Sequence, residues 1–168
     1  VRRYKNQGLN RQELSQILWS AQGVTDTKRN FRAAPSAGAL YPMEIHIATP
    51  DGLFKYDPPG HSLTKIKDED LRKQLSSAAL GQRFVHEAGA VVIISAVYSR
   101  VTNRYGNRGV MYVDMEAGHI AQNVHLQAVA LGLGSVPVGA FSEDEVKKIL
   151  GTKGEERPIY MIPVGCPQ

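Results

Sequence analysis

The chain has 168 residues, 42% of them hydrophobic and 21% charged, with one cysteine, Cys166, and a formal net charge of +4 at pH 7. A chain of this length buries about 70% of the surface its unfolded form exposes, enough for a core of its own, and the composition is that of a soluble globular protein. A lone thiol excludes an internal disulfide framework and fits a reducing cytoplasm; no apolar run approaches the roughly 20 residues of a membrane span, and the basic residues are dispersed without a nucleic-acid-binding signature.

Val1-Arg2-Arg3-Tyr4-Lys5 has no apolar stretch behind it, so no signal peptide is read there. Asn10 and Glu13 have capping-box spacing, and Leu14, Ile17, Leu18 and Ala21 follow as one helical face up to Gly23. Next comes Arg32-Ala-Ala-Pro35-Ser36-Ala37-Gly38-Ala-Leu-Tyr-Pro42. One rigid residue, one hydroxyl and two nearly bare residues let a flat ligand lie against the main chain, and Arg32 offers a fixed charge to an anion. The same residues also make an ordinary turn. Met43 to Ala48 reads as a strand with Ile45 and Ile47 on one face and Glu44 and His46 on the other. Asp51-Gly52 marks a tight turn, and Leu53 to Tyr56 and Ser62 to Ile66 continue as a small antiparallel meander. Asp68 to Leu80 reads as a helix with an acidic first turn, and Ala90 to Val97 as a strand buried on both faces.

The longest helix is expected from about Val110 to Leu131, ending near Gly132 and Gly134. From Ile120 onward its apolar residues lie almost all the way round, so it should be central or covered by a partner. It nevertheless carries Glu116, His119, Gln122, Asn123, His125 and Gln127, which need hydrogen-bond partners if buried. Glu116 and His119, three apart, share a face. His119 and His125 are six apart, which does not match the two-histidine helical motif, so no metal site is read here. Gly132-Leu-Gly134 ends a helix rather than opening one, which suits a cap better than a phosphate cradle. Gly134 to Phe141, containing Pro137, Val138, Gly139 and Ala140, reads as a short buried strand whose small residues permit close approach of something flat. Ser142 and Glu145 cap a helix ending near Leu150-Gly151, and Ile159 to Val164 is the last strand. With no repeat, linker or low-complexity tract, the reading is α+β and one domain over 1–168.

Taken in order, Val1-Arg-Arg-Tyr4, Leu14 to Gly23, Arg32 to Pro42, Ala79-Leu-Gly-Gln82, Glu116-Ala-Gly-His-Ile-Ala-Gln-Asn123 and Ala130 to Gly134 resemble the FMN-dependent nitroreductase family, and within it the branch related to azoline (thiazole- or oxazole-forming) dehydrogenases. The resemblance implies a homodimer with a central, mainly antiparallel sheet, the long helix at the subunit interface, and one FMN in each of two interfacial clefts. It puts Arg2, with Arg3 beside it, at the FMN phosphate. It sets Pro35, Ser36 and Ala37, with Gly38 and Arg32, along the flavin edge from the partner chain, with Glu116 and His119 facing the flavin from that same partner. It places the Gly139 N–H at flavin N5, within Pro137, Val138 and Ala140, and Gln82 at the pyrimidine edge. The family's Arg-Arg-Ser-x-Arg motif is present here only in its last part, so residues before Val1 are expected. Where azoline dehydrogenases have a Lys-Tyr pair, this chain has Arg104-Tyr105; an arginine stays protonated and is a poor proton shuttle. The implied activity is therefore an NAD(P)H-linked, cytoplasmic two-electron reduction of a nitroaromatic, quinone or similar small acceptor, with Arg104 and Tyr105 as catalytic candidates and no nucleic-acid or membrane partner. The alternatives are an FMN-dependent dehydrogenase of a peptide-derived or small heterocycle, and a flavin carrier or sensor without turnover.

Overall fold

A computed structural model describes residues 1–168. In chain order the elements are α1 (Arg11–Gln22), β1 (Val24–Asp26), β2 (Phe31–Arg32), a 3-10 turn (Ala37–Ala39), β3 (Met43–Thr49), β4 (Gly52–Asp57), β5 (Ser62–Lys67), α2 (Arg72–Ala78), α3 (Arg83–Glu87), β6 (Ala90–Val97), α4 (Ser99–Tyr105), α5 (Arg108–Ala130), β7 (Gly134–Ser135), α6 (Glu143–Leu150) and β8 (Glu156–Gly165). Six strands form one sheet in the order β5-β4-β3-β6-β8-β7, and every neighbouring pair is antiparallel. Strands β1 and β2 form a separate two-stranded hairpin.

Alternation along the strands divides the core into two layers. Ile45, Ile47, Val92, Ile94 and Ile162 point to one face and pack against Ile17 and Leu18 of α1 and Ile120 and Val124 of α5. Ala48, Leu53, Val91, Ile93 and Met161 point to the other, against Leu75 of α2, Val85 of α3, and Val146 and Leu150 of α6. Each fully buried aliphatic side chain contributes about 1.5–3 kcal/mol, so a sheet covered on both faces is what the unbroken apolar run of β6 requires. The α+β architecture with a central antiparallel sheet flanked by helices is thus the observed one.

Several boundaries differ from the sequence reading. The helix expected over 68–80 is shorter, Arg72–Ala78, and its acidic first turn is absent. Asp70 instead accepts from both the main chain and the guanidinium of Arg72, and Leu80 and Gly81 at positive φ stop the helix before α3. The strand expected over 134–141 is only Gly134–Ser135 plus one bridge from Val138 to Met161, because Pro137 has no N–H for the ladder. Asn103, Gly106 and Asn107 are residues typical of turns, yet Ser99–Tyr105 forms α4, and the turn into α5 is confined to Gly106 and Asn107. Asn10 and Glu13 form the full capping box at 2.9 and 2.8 Å, whereas at α6 only Ser142 caps, accepting from the Glu145 N–H at 3.4 Å.

Candidate functional site

The segment from Arg32 to Tyr41 connects β2 to β3 and is strained. Gly38, Ala39 and Tyr41 all have positive φ, at 61, 53 and 46°. The left-handed region costs a residue bearing a Cβ on the order of 1 kcal/mol, and such conformations persist only where surrounding contacts over-determine them. Those contacts are present. The Tyr41 N–H donates to Ser36 Oγ at 2.9 Å, and Arg100 donates to the Tyr41 carbonyl at 3.3 Å. Asn123 of α5 donates to the Ala33 carbonyl at 3.3 Å. A cavity of about 730 Å³ opens over the loop, lined by Arg32, Pro35, Ser36, Gly38 and Tyr41 with Phe31 at its rim. Gly38 is also where α4 meets the loop. A Cβ there would come within 2.7 Å of the Tyr105 hydroxyl and 3.1 Å of the Arg104 guanidinium. Arg104 and Tyr105, far from the loop in sequence, therefore flank it.

Behind the loop lies a buried polar network. Glu116, 1% exposed on α5, takes the Gln22 amide on Oε1 at 3.5 Å, while its Oε2 has no partner. Gln22 in turn accepts from Arg32 Nη1 at 3.1 Å, and the Arg32 guanidinium stacks over the Tyr41 ring, 4.3 Å from its centroid. Burial pushes the Glu116 carboxyl up to about 7, opposed by the Ser36 hydroxyl, the Gln22 amide and the Arg32 charge. Burial lowers the Arg32 pKa, and its Nε is a second orphaned atom in the same place. Arg32, Ser36 and Glu116 thus come together from three separate elements. His119 does not join them: it is exposed on the outer surface of α5. The face it shares with Glu116 in sequence is divided in space between core and solvent.

A second group lies at the far side of the sheet. Pro137, Gly139 and Ala140 are exposed beside β8, and Val138 is anchored by paired main-chain bonds to Met161 at 2.7 and 3.0 Å. The N–H groups of Gly139 and Ala140 make no hydrogen bond within the chain. Gln82 spends its amide nitrogen on the carbonyls of Ala79 and Ala140 at 2.9 and 3.2 Å, so only its oxygen remains for another group. The N-terminal segment runs alongside, with the Val1 nitrogen donating to the Ser135 carbonyl at 3.0 Å. Arg2 and Arg3 line a cavity of about 740 Å³ with Arg72 and Arg83. Arg72 is engaged by Asp70 and Arg83 by Glu87, whereas Arg2 and Arg3 form no ion pair. The Arg2 guanidinium rests over the Phe84 ring.

Two functional candidates escaped the sequence reading. Gln22 is a polar residue at a core position of α1, fully buried beside Ile17, Leu18 and Ala21, and that mismatch was its only signal. Tyr41 stood in the sequence only as part of the Arg32-to-Pro42 string, because its role depends on a left-handed backbone that the sequence does not announce. His125 hydrogen-bonds Ser135 at 2.7 Å, a structural partnership across α5 and β7. No cluster of three metal-ligating side chains is present, and no helix is long and apolar enough to cross a membrane.

Comparison with known proteins places this geometry in context. The profile described as the Nitroreductase family matches residues 1–166. A provisionally named nitroreductase of Methanocaldococcus jannaschii is 48% identical over 171 residues, covering 98% of this chain and 85% of that protein. The solved structure of a provisionally named nitroreductase from Ralstonia eutropha JMP134 superposes with a TM-score of 0.90 at 28% identity, covering 100% of this chain and 78% of that one. An NADPH:FMN oxidoreductase from Vibrio harveyi, solved in complex with NAD+, shares the fold with a TM-score of 0.73 at 18% identity, over 100% of this chain and 64% of its own.

Proposed function

The chain belongs to the Nitroreductase family, and from that premise we propose an FMN-dependent oxidoreductase that acts as a homodimer, passing two electrons from NAD(P)H to an electron-poor acceptor such as a nitroaromatic or quinone. The observation that carries this reading is the strand end at Pro137 to Ala140, with two unclaimed main-chain N–H groups among residues too small to block a flat ring. Such donors suit the heteroatom edge of an isoalloxazine. Arg2 and Arg3, without carboxylate partners, suit a phosphate. Across the molecule, Pro35, Ser36, Ala37 and Gly38 offer a second small-residue surface. The loop, the arginines and the strand end, through Pro137, line three different cavities, so in this reading each cleft is assembled from the strand end and arginines of one chain and the loop of its partner.

The apolar outer stripe of α5 supports the pairing. Met115, Leu126 and Val129 are 50, 59 and 64% exposed, on the surface that also carries Gly118 and Gln122. Residues of this kind on one helix face mark a surface that another chain covers.

FMN, when bound, supplies the two-electron chemistry, and the protein supplies orientation and electrostatics. Gly139 and Ala140 would fix the ring edge; Arg2 and Arg3 would neutralise the phosphate. One observation favours dehydrogenation of a peptide-derived or small heterocycle instead: the Tyr105 hydroxyl is held against Gly38, where a phenol can give or take a proton. Absorbance from 300 to 600 nm, then anaerobic NADPH, tests the proposal. Bands near about 375 and about 450 nm that bleach on NADPH support the reductase. Bands that bleach only with a heterocyclic substrate support the dehydrogenase. Bands that persist under both leave a carrier, and a protein that neither retains nor takes up FMN contradicts the site.

A further inference from the structure

Glu116 is not on the open surface of the loop. It lies behind it, almost wholly buried, and one of its oxygens lacks a partner. The groups facing the carboxyl are few: Gln22 from α1, Arg32 from β2, and Ser36 from the loop. Of these only Arg32 is charged, and its guanidinium is directed to Gln22 and the Tyr41 ring rather than onto the carboxyl. Asp114 and His119, the nearest titratable residues on α5 itself, are on its exposed side.

Ser36 lines the cavity, and its hydroxyl opposes the rise of the Glu116 carboxyl without a hydrogen bond joining the two. Its Oγ accepts the Tyr41 N–H, so the hydroxyl hydrogen is the one part of the side chain left to direct. When Glu116 is ionised, the unpaired oxygen is the strongest acceptor within reach, and the Ser36 hydrogen turns inward. When Glu116 carries a proton, the carboxyl becomes a donor, Ser36 Oγ can accept from it, and the Ser36 hydrogen is released toward the cavity. One proton taken from solvent thus reverses the direction of one hydroxyl.

We propose that Glu116 is a positioning residue whose protonation state sets whether Ser36 offers a hydrogen-bond donor to the flavin cleft that it lines; this rests on the flavin reading given above. The burial that raises the Glu116 carboxyl to about 7 puts the reversal near neutral pH. The device costs no backbone movement, because the Tyr41 and Asn123 bonds hold the loop in both states. It also accounts for Gln22, whose amide keeps one carboxyl oxygen occupied so that the proton resides on the other.

The test is FMN affinity, followed by flavin fluorescence quenching from pH 5.5 to 8.5 in the wild-type protein, Glu116→Gln and Ser36→Ala. Ionisation of the FMN phosphate is common to all three and cancels in the comparison. Wild type should bind about tenfold more weakly at pH 8 than at pH 6 beyond that common change, as expected for one linked proton. Glu116→Gln, a permanent donor of nearly the same shape, should bind at every pH as tightly as wild type does at pH 6. Ser36→Ala should bind weakly throughout, without the Glu116-linked slope. A Glu116→Gln profile that follows wild type, or a Ser36→Ala protein that keeps the slope, overturns the proposal while leaving the flavin reading intact. Absence of FMN binding by wild type at every pH overturns both.

Discussion

Glu116 and His46 are two buried groups whose ionisation bears on the stability of the fold between about pH 4 and 7, and they act in opposite directions. Glu116 is raised from 4.5 to about 7 by burial, so the folded chain binds more protons than the unfolded one between those values. Stability from this group therefore falls as pH rises from about 4.5 to 7, by on the order of 3 kcal/mol. His46, 2% exposed on β3, is lowered from 6.5 to about 4, mainly by burial and then by Lys55. It stays neutral in the fold, and stability falls as pH drops from 6.5 toward 4, by a similar amount. Its contact with Glu156 at 3.6 Å is accordingly not an ion pair; Glu156 is itself raised by burial. Over most of the shared window the slopes of Glu116 and His46 offset each other. Urea unfolding should show wild type nearly flat between pH 5 and 6.5, Glu116→Gln losing stability on acidification, and His46→Gln losing it as pH rises. Parallel profiles for all three proteins would mean that neither group is buried in the ionisation state assigned. Sequence gave Glu116 as a polar residue in a buried helix, but not which way it faces. Spacing of three puts Glu116 and His119 on neighbouring sides, and only the position of the helix against α1 and the loop separates the buried one from the exposed one.

At the scale of elements, α5 joins the two halves of the proposed cleft. Its inner side meets α1 through Glu116, holds the loop through Asn123 and meets β7 through His125, while its outer side presents Met115, Leu126 and Val129. Placing charge in that outer stripe, as in Leu126→Glu with Val129→Glu, should leave the fold intact, since both side chains are exposed in the single chain. In a dimer that the stripe holds together, the double variant should run as a monomer by light scattering and lose FMN together with the pairing. A dimer that survives unchanged would show that the contact is elsewhere. The existence of α5 was plain from its apolar periodicity, and the α1 cap from two residues at the right spacing. Helix α4 was hidden because Asn103, Gly106 and Asn107 look like loop residues, although the turn they make is confined to Gly106 and Asn107. The strand expected over 134–141 shrank for a reason visible in advance: Pro137 cannot donate to the ladder.

For the whole molecule, an antiparallel sheet covered on both faces leaves the groups proposed to face the flavin at its periphery, on two surfaces with α5 between them. Local sequence carried each surface separately: small residues and a serine at 35–38, small residues after Pro137, and arginines at the start of the chain. Their division over one chain was not legible from local pattern, because it depends on strand order. It is also what the composite cleft requires. The most direct measurement is subunit complementation. Ser36→Trp should fill the loop surface, and Gly139→Pro should remove the N–H at the strand end; each variant alone should fail to hold FMN. Mixed after dissociation and reassociation, half of the dimers are heterodimers by chance, and each would contain one intact and one doubly altered cleft. Recovery of FMN to about a quarter of the wild-type content is the expected result for shared clefts under random pairing. If the mixture recovers no FMN while heterodimers form, each site is built within a single chain and the composite cleft is wrong.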